Sequence, residues 1–318
     1  MRRIAAVVFA VLLALPAMAQ EVWPSRPITL ISPYAPGGAS DFLARTLAEA
    51  LKARLGQQVL VQNVPGAGGT VGTLQAAKAK PDGYTLLLNH IGLSTMPALY
   101  KKLAFDPQTD LEPITLIANT PTVLTVPLSL PVNSLPEFIA YVKARPGELN
   151  YASYGVGSSP HLAAELFQNM VGAKMVHVPY SGGGPSALGV MTNQVQALFS
   201  SVVTVLGMLR GGNIKAIAIA ADRRSELIPN VPTFTEQGLD YKIGTWYGLL
   251  APAKTPPAII DSLHRASASA LADPTVRTRI FEQGADVVAS SPADFRAFIK
   301  DETERLSHII RGANIQLD

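Results

Sequence analysis

The strand-like run Ile28-Thr29-Leu30-Ile31 passes into a helical stripe, Leu43, Leu47, Ala50, Leu51 and Leu55, through "YAPGGASD" at residues 34–41. Such a turn places two residues without side chains at a helix start, with Ser40 or Asp41 as the expected cap and Gly56 as the stop. The pattern then repeats: Val59 to Val61 as strand, "NVPGAGGTVG" as turn, a helix to about Lys80, and a strand from Tyr84 to Leu88 after Asp82-Gly83. Alternation of this kind specifies βα units on a mostly parallel sheet.

Pro121, Pro127, Pro131 and Pro136 interrupt the pattern, and "LNYAS", "KMVHVPY", "VQALFSS" and "IKAIAIA" then resume it as strands. Past the turn-rich "SELIPNVPTFTEQG", only "TWYGLLAP" is strand-like, and helices run from about Pro257 to the end. Those last elements cannot make a sheet alone, so the chain is expected to return to its first lobe. Residues 20–118 and 226–318 are expected to form one lobe and 119–225 the other, an α/β clamshell hinged around a cleft between its lobes.

Arg2 and Arg3 precede an apolar run from Ile4 to Leu15, then Pro16 and Ala17-Met18-Ala19. This reads as a secretory signal peptide, residues 1–19, and the run is short of the roughly 20 residues of a membrane span. The expected compartment is the periplasm. Without those arginines, the 26 Lys+Arg fall to 24 against 23 Asp+Glu, a net +1, and no basic footprint for nucleic acid remains. The absence of cysteine excludes disulfides, a thiol nucleophile and a lipid anchor on cysteine.

A helix N-terminus carries four N–H groups without intrahelical partners and about half a positive charge. Gly37 and Gly38, and again Gly66, Gly68, Gly69 and Thr70, let a ligand oxygen approach such amides closely. One such turn could equally be mere geometry, but two at the ends of neighbouring strands favour anion binding at a shared crevice. Neither holds Lys or Arg, which excludes a Walker A loop and points to a modest anion such as a carboxylate. "SYGVGSSPHL" supplies a third helix start, with Ser159 as expected cap, Pro160 at the first helical position, and Ser158 serving either the cap or a ligand. "HVPYSGGGPSA" fits a dinucleotide fingerprint formally, but no acid stands near position 205, so it is assigned to a ligand turn with Tyr180 at the cleft. Asn89 and His90 end a strand on the cleft side, His161 and His177 read as structural, and Trp246 and Tyr247 are either core or an apolar wall. No catalytic or metal-binding motif is present, so neither enzyme activity, metal nor cofactor is expected. Two alternatives remain: a secreted hydrolase using helix N-termini as an oxyanion hole with Ser158 and His161, and a receptor reporting to a sensor.

"WPSRPITLISPYAPGGASDFLAR", "VQNVPGAGGTVGT", "PDGYTLLL", "VPYSGGGPSAL" and "NVPTFTEQG" followed by "WYGLLAP" resemble, in order, the Bug (TctC-type) extracytoplasmic receptors of tripartite tricarboxylate transporters. The resemblance implies a monomeric two-lobed protein that closes on a small carboxylate, for instance an aliphatic or aromatic dicarboxylate, and delivers it to membrane permease subunits. It assigns carboxylate binding to Tyr34, Gly37, Gly38, Ala39, Gly68, Gly69, Thr70 and Val71, with Asp41 bracing the loop. Asn89, His90, Ser153, Ser158, Tyr180, Gly182 and Ser200 complete the expected ligand-binding set. Relatives often carry acids where this chain has Gly189 and Ser200, changes that would ease binding of a second anionic group.

Overall fold

The computed structural model describes residues 23–100 and 102–312, and the expected signal peptide lies outside them. Strands β1 (Ile28–Ser32), β2 (Val59–Asn63) and β3 (Thr85–His90) pair in parallel in the order β2-β1-β3. Helix α1 (Ala39–Leu55) buries Leu43, Leu47 and Leu51, and Gly56 stops it in the left-handed conformation with φ 69°. Gly38 holds the cap position of α1, so Ser40 and Asp41 lie inside the first turn instead of capping it. Helix α2 (Thr70–Ala77) ends short of Lys80, and α3 (Gly92–Leu99) follows β3.

Strand β4 (Leu111–Pro127) departs from the sequence reading, because it runs straight through Pro121. Its first part, Leu111 to Pro121, pairs antiparallel with β9 (Gly244–Pro252), which in turn pairs with β3. Its second part, from Thr122, pairs with β7 (Ala197–Ser201) on one side and β8 (Ile214–Ala220) on the other. Proline lacks the ladder N–H, and it is tolerated here because Pro121 stands where partners change, opposite Gly244 at the first residue of β9. One strand therefore belongs to both sheets.

In the second lobe β5 (Asn150–Ser153) pairs in parallel with β6 (Val176–Pro179) and β7. Around them lie α4 (Leu135–Lys143), α5 (Ser159–Val171), α6 (Gly183–Met191) and α7 (Val202–Arg210). The cap of α5 is Ser158, one residue before the expected Ser159. Phe234 and Tyr241 pack with their rings tilted at 4.5 Å, and both rings meet Phe167 of α5, so this passage packs on the second lobe although residues from 226 onward were expected in the first. Helices α8 (Pro257–Ala272) and α9 (Pro274–Phe281), short strand β10 (Asp286–Val287) and α10 (Pro292–Gly312) complete the first lobe. Helix α10 buries Phe295, Ile299, Leu306 and Ile310 and packs on α3 and β4.

A methyl group added at Gly248 in β9 would overlap the buried Phe295 ring. Gly248→Ala should therefore lower stability by about 1–3 kcal/mol. Gly207→Ala in α7, where an added methyl meets nothing, should be neutral or stabilise by up to about 1 kcal/mol. Urea unfolding midpoints measure both, and equal midpoints for the two variants would contradict this packing.

Candidate functional site

Six helices begin at the seam between the lobes among the described residues: α1, α2 and α3 from one side, α5, α6 and α7 from the other. Their starts are drawn together by glycine. A Cβ at Gly38 would lie 3.1 Å from the Cα of Gly183, so the backbones of the α1 and α6 starts touch. Gly68, at φ 63°, is pressed so closely on the Val156 carbonyl that a Cβ there would overlap it. Hydrogen bonds cross the seam beside these contacts: Ala35 N–H donates to Ser181 O at 3.0 Å, the Tyr100 hydroxyl to Val156 O at 2.9 Å, and the Thr95 hydroxyl to Gly157 O at 2.8 Å.

Inside the seam lies a buried group of rings. Tyr34 and His90 stack at 4.5 Å, and Tyr154 of the second lobe meets both edge-on. Tyr247 on β9 meets His90 edge-on at 5.9 Å. The Tyr34 hydroxyl donates to Gly68 O at 3.0 Å. The Tyr247 hydroxyl donates to Ser201 Oγ at 3.3 Å, Ser201 Oγ lies 3.0 Å from Thr204 Oγ1, and Thr204 lies 3.2 Å from the Tyr154 hydroxyl. This hydroxyl chain links the lobes through their interior.

Burial fixes the protonation of the rings. It raises Tyr34 well above the ordinary phenol value and pushes Tyr154 up to about 12. Burial, with Tyr154 beside it, also raises Tyr247. The same desolvation holds His90 down at about 3. All four are uncharged near neutral pH, so the interior offers an anion neutral donors and opposed helix starts.

Asp41 accepts from Gly37 N–H at 3.2 Å, from Arg45 Nε at 3.0 Å and from Asn63 Nδ2 at 3.1 Å. Burial raises its pKa, but the Arg45, Gly37 and Asn63 contacts outweigh that and hold the carboxyl below its ordinary range. Its charge is thereby spent on the loop and on Arg45 rather than opposing an anion.

The structure brings Tyr34, Gly37, Gly38, Ala39, Gly68, Gly69, His90, Gly182 and Ser200 to the seam or its buried rings. Other expected side chains are engaged elsewhere. The Thr70 hydroxyl donates to Ala67 O, Val71 is exposed, and the Asn89 amide donates to Thr73 while accepting from His90 N–H. Ser153 Oγ lies 2.6 Å from His177 Nε2 and accepts from Gly155 N–H. Ser158 Oγ joins Tyr154 N to Gly155 O, whereas His161 Nδ1 accepts from Gly157 N–H. Those last two residues serve the turn separately, with no hydrogen bond between them of the kind a serine nucleophile and its base require. The Tyr180 ring fills the space that a Cβ at Gly189 would enter, and its hydroxyl donates to Gln194 Oε1 at 3.4 Å.

Sequence reasoning missed Tyr154, Ser201 and Thr204. A signal existed for the first: both lobes place a tyrosine between a strand end and a glycine turn, Tyr34 before Gly37 and Tyr154 before Gly155.

Two α/β lobes sharing a strand, with helix starts converging on a polar seam, define a two-lobed binding protein. The chain belongs to the tripartite tricarboxylate transporter receptor family: residues 43–315 match "Tripartite tricarboxylate transporter family receptor". It is similar to Protein BugT of Bordetella pertussis, 40% identical over 305 residues that span 93% of this chain and 92% of that protein. Among solved structures it is similar to the periplasmic binding protein BugD, with 33% identity and a TM-score of 0.90 over 93% of this chain and 100% of that one. Two Rhodopseudomonas palustris structures are likewise similar. MatC with bound malate has 34% identity and a TM-score of 0.88 over 91% of this chain and 100% of its own. A second protein, with adipate, has 32% identity and a TM-score of 0.89 over 93% of this chain and 100% of its own.

Because the Gly68 contact lies on the seam, Gly68→Ala should impede closure while costing the fold only about 1–2 kcal/mol for a left-handed alanine. Small-angle scattering should give the variant a larger radius of gyration than the wild type. Equal radii would contradict the seam contact.

Proposed function

We propose that this chain captures a small dicarboxylate between its lobes in the periplasm and delivers it to a tripartite tricarboxylate-type permease. The facing starts of α1 and α6, with no cationic side chain at either turn, carry this reading. Two positive dipole ends in backbone contact repel, and an anion shared between their amides reverses the sign of that interaction. Each charge-assisted bond of this kind contributes about 1.5–3 kcal/mol. The ligands of the two similar R. palustris structures, malate and adipate, support an aliphatic dicarboxylate. No helix among the described residues is long and apolar enough to cross a membrane.

In this reading the lobes divide at Pro121–Thr122 and again near Gly244, where β4 and β9 carry the chain across. Carboxylate contacts come from the backbone of the Gly37–Ala39 and Gly68–Thr70 turns in one lobe and from the Gly182 turn in the other. Neutral donors among the buried rings would meet the rest of the ligand.

Thermal unfolding against a panel of aliphatic and aromatic mono-, di- and tricarboxylates tests this. A true ligand at 100 times its dissociation constant adds about 2.7 kcal/mol and should raise the midpoint by at least a few degrees. A shift with a dicarboxylate that its monoacid does not give is the expected result. No shift with any member would refute the carboxylate assignment.

A further inference from the structure

Strands β10, β4 and β9 lie side by side, and their register sets Asp286 opposite Asn119 and Asn119 opposite Trp246. Residues directly opposite one another in a sheet share a face, so these three side chains make a row. On α10, Phe298, Glu302 and Arg305 follow at steps of four and three residues and form one stripe. Row and stripe border a cavity of about 280 Å³ that continues to Pro121 and Gly244, where β4 changes partners. It shares no lining residue with the glycine turns or the four buried rings of the seam.

The chemistry of these walls selects an occupant. The Glu302 carboxylate takes both arms of Arg305, Nε at 2.6 Å and a terminal nitrogen at 2.9 Å, so the one guanidinium of the lining is already neutralised. Asp286 makes no ion pair and no side-chain hydrogen bond among the described residues, which leaves the cavity with a net negative charge. The Trp246 and Phe298 rings meet at 5.8 Å and 83°, and aromatic faces attract cations. The buried Trp246 Nε1–H has no partner, and the Asn119 amide makes no hydrogen bond among the described residues. Two donors without acceptors favour an occupant that carries an oxygen. No group of three or more metal-ligating side chains forms among the described residues, so the walls suit an organic cation better than a metal ion. Ligand pockets begin at about 300 Å³, so the occupant is small.

We propose that this cavity is a second binding site, for a small organic cation bearing an oxygen acceptor, an amino alcohol or its quaternary form. The ammonium group lies against the Trp246 and Phe298 rings and pairs with Asp286, and the oxygen accepts from Asn119 or Trp246. Choline is the probe, with dimethylbutanol as its uncharged isostere. Calorimetry should show saturable choline binding and binding of the alcohol weaker by about tenfold or more. In a Trp23→Phe background Trp246 is the single tryptophan of the chain, and its fluorescence should change over the same concentration range. Asp286→Asn should weaken choline about fivefold and leave the alcohol unaffected. Glu282→Gln, at an exposed acid outside the cavity, should change neither, and urea midpoints confirm that each variant is folded. Absence of saturable choline binding, equal affinity for choline and the alcohol, or equal choline affinity in wild type and Asp286→Asn would overturn the proposal. So would a loss in Glu282→Gln as large as that in Asp286→Asn, which would reduce the effect to general charge.

Discussion

Backbone meets backbone where the lobes close, and everything else at the site depends on that contact. Gly38 against Gly183 and Gly68 against Val156 leave no room for a side chain. The same lack of side chains brings the first N–H groups of α1 and α6 to one place, where their partial positive charges add. Closure without ligand thus sets dipole repulsion against a few interlobe hydrogen bonds, such as Ala35 to Ser181 and Tyr100 to Val156. Under the proposed function a small anion touching both sides would tip that balance, because a ligand shifts a conformational equilibrium only by its differential contacts.

The shared strand makes the contact reversible in principle. Strand β4 changes partners at Pro121 and Thr122, where β9 begins and the pairing with β7 and β8 takes over. A proline at that junction leaves one position without a ladder N–H, so bending there sacrifices no backbone hydrogen bond from that residue. The largest apolar cluster runs across it, joining Leu87, Met96 and Phe295 to Leu124, Phe167 and Phe199, so movement at the junction has to shear part of that packing.

Much of this was legible in the sequence because periodicity is local. The β1, α1 and β2 pattern and the glycine turns follow from spacing within short windows. Pro121 misled because the proline rule concerns the need for a ladder N–H, and the sequence does not reveal that the need lapses where partners change. Asn89 stands at the right strand end, yet Thr73 on α2 engages its amide, a partner that only the fold brings near. Tyr154 and Thr204 escaped for the opposite reason: their role lies in reaching residues of the other lobe. The space beside Gly189 is occupied by the Tyr180 ring, a neighbour that only the fold brings near.

Closure of the lobes on a dicarboxylate, as proposed, is read out by single-molecule energy transfer between them. The chain has no cysteine, so Lys52→Cys on α1 and Lys143→Cys on α4, both at exposed positions, give one label per lobe. Under the proposed function, the dicarboxylate that raises the unfolding midpoint should convert a broad or more open distribution into one narrow closed population. An unchanged distribution with that dicarboxylate at saturation would contradict closure on it.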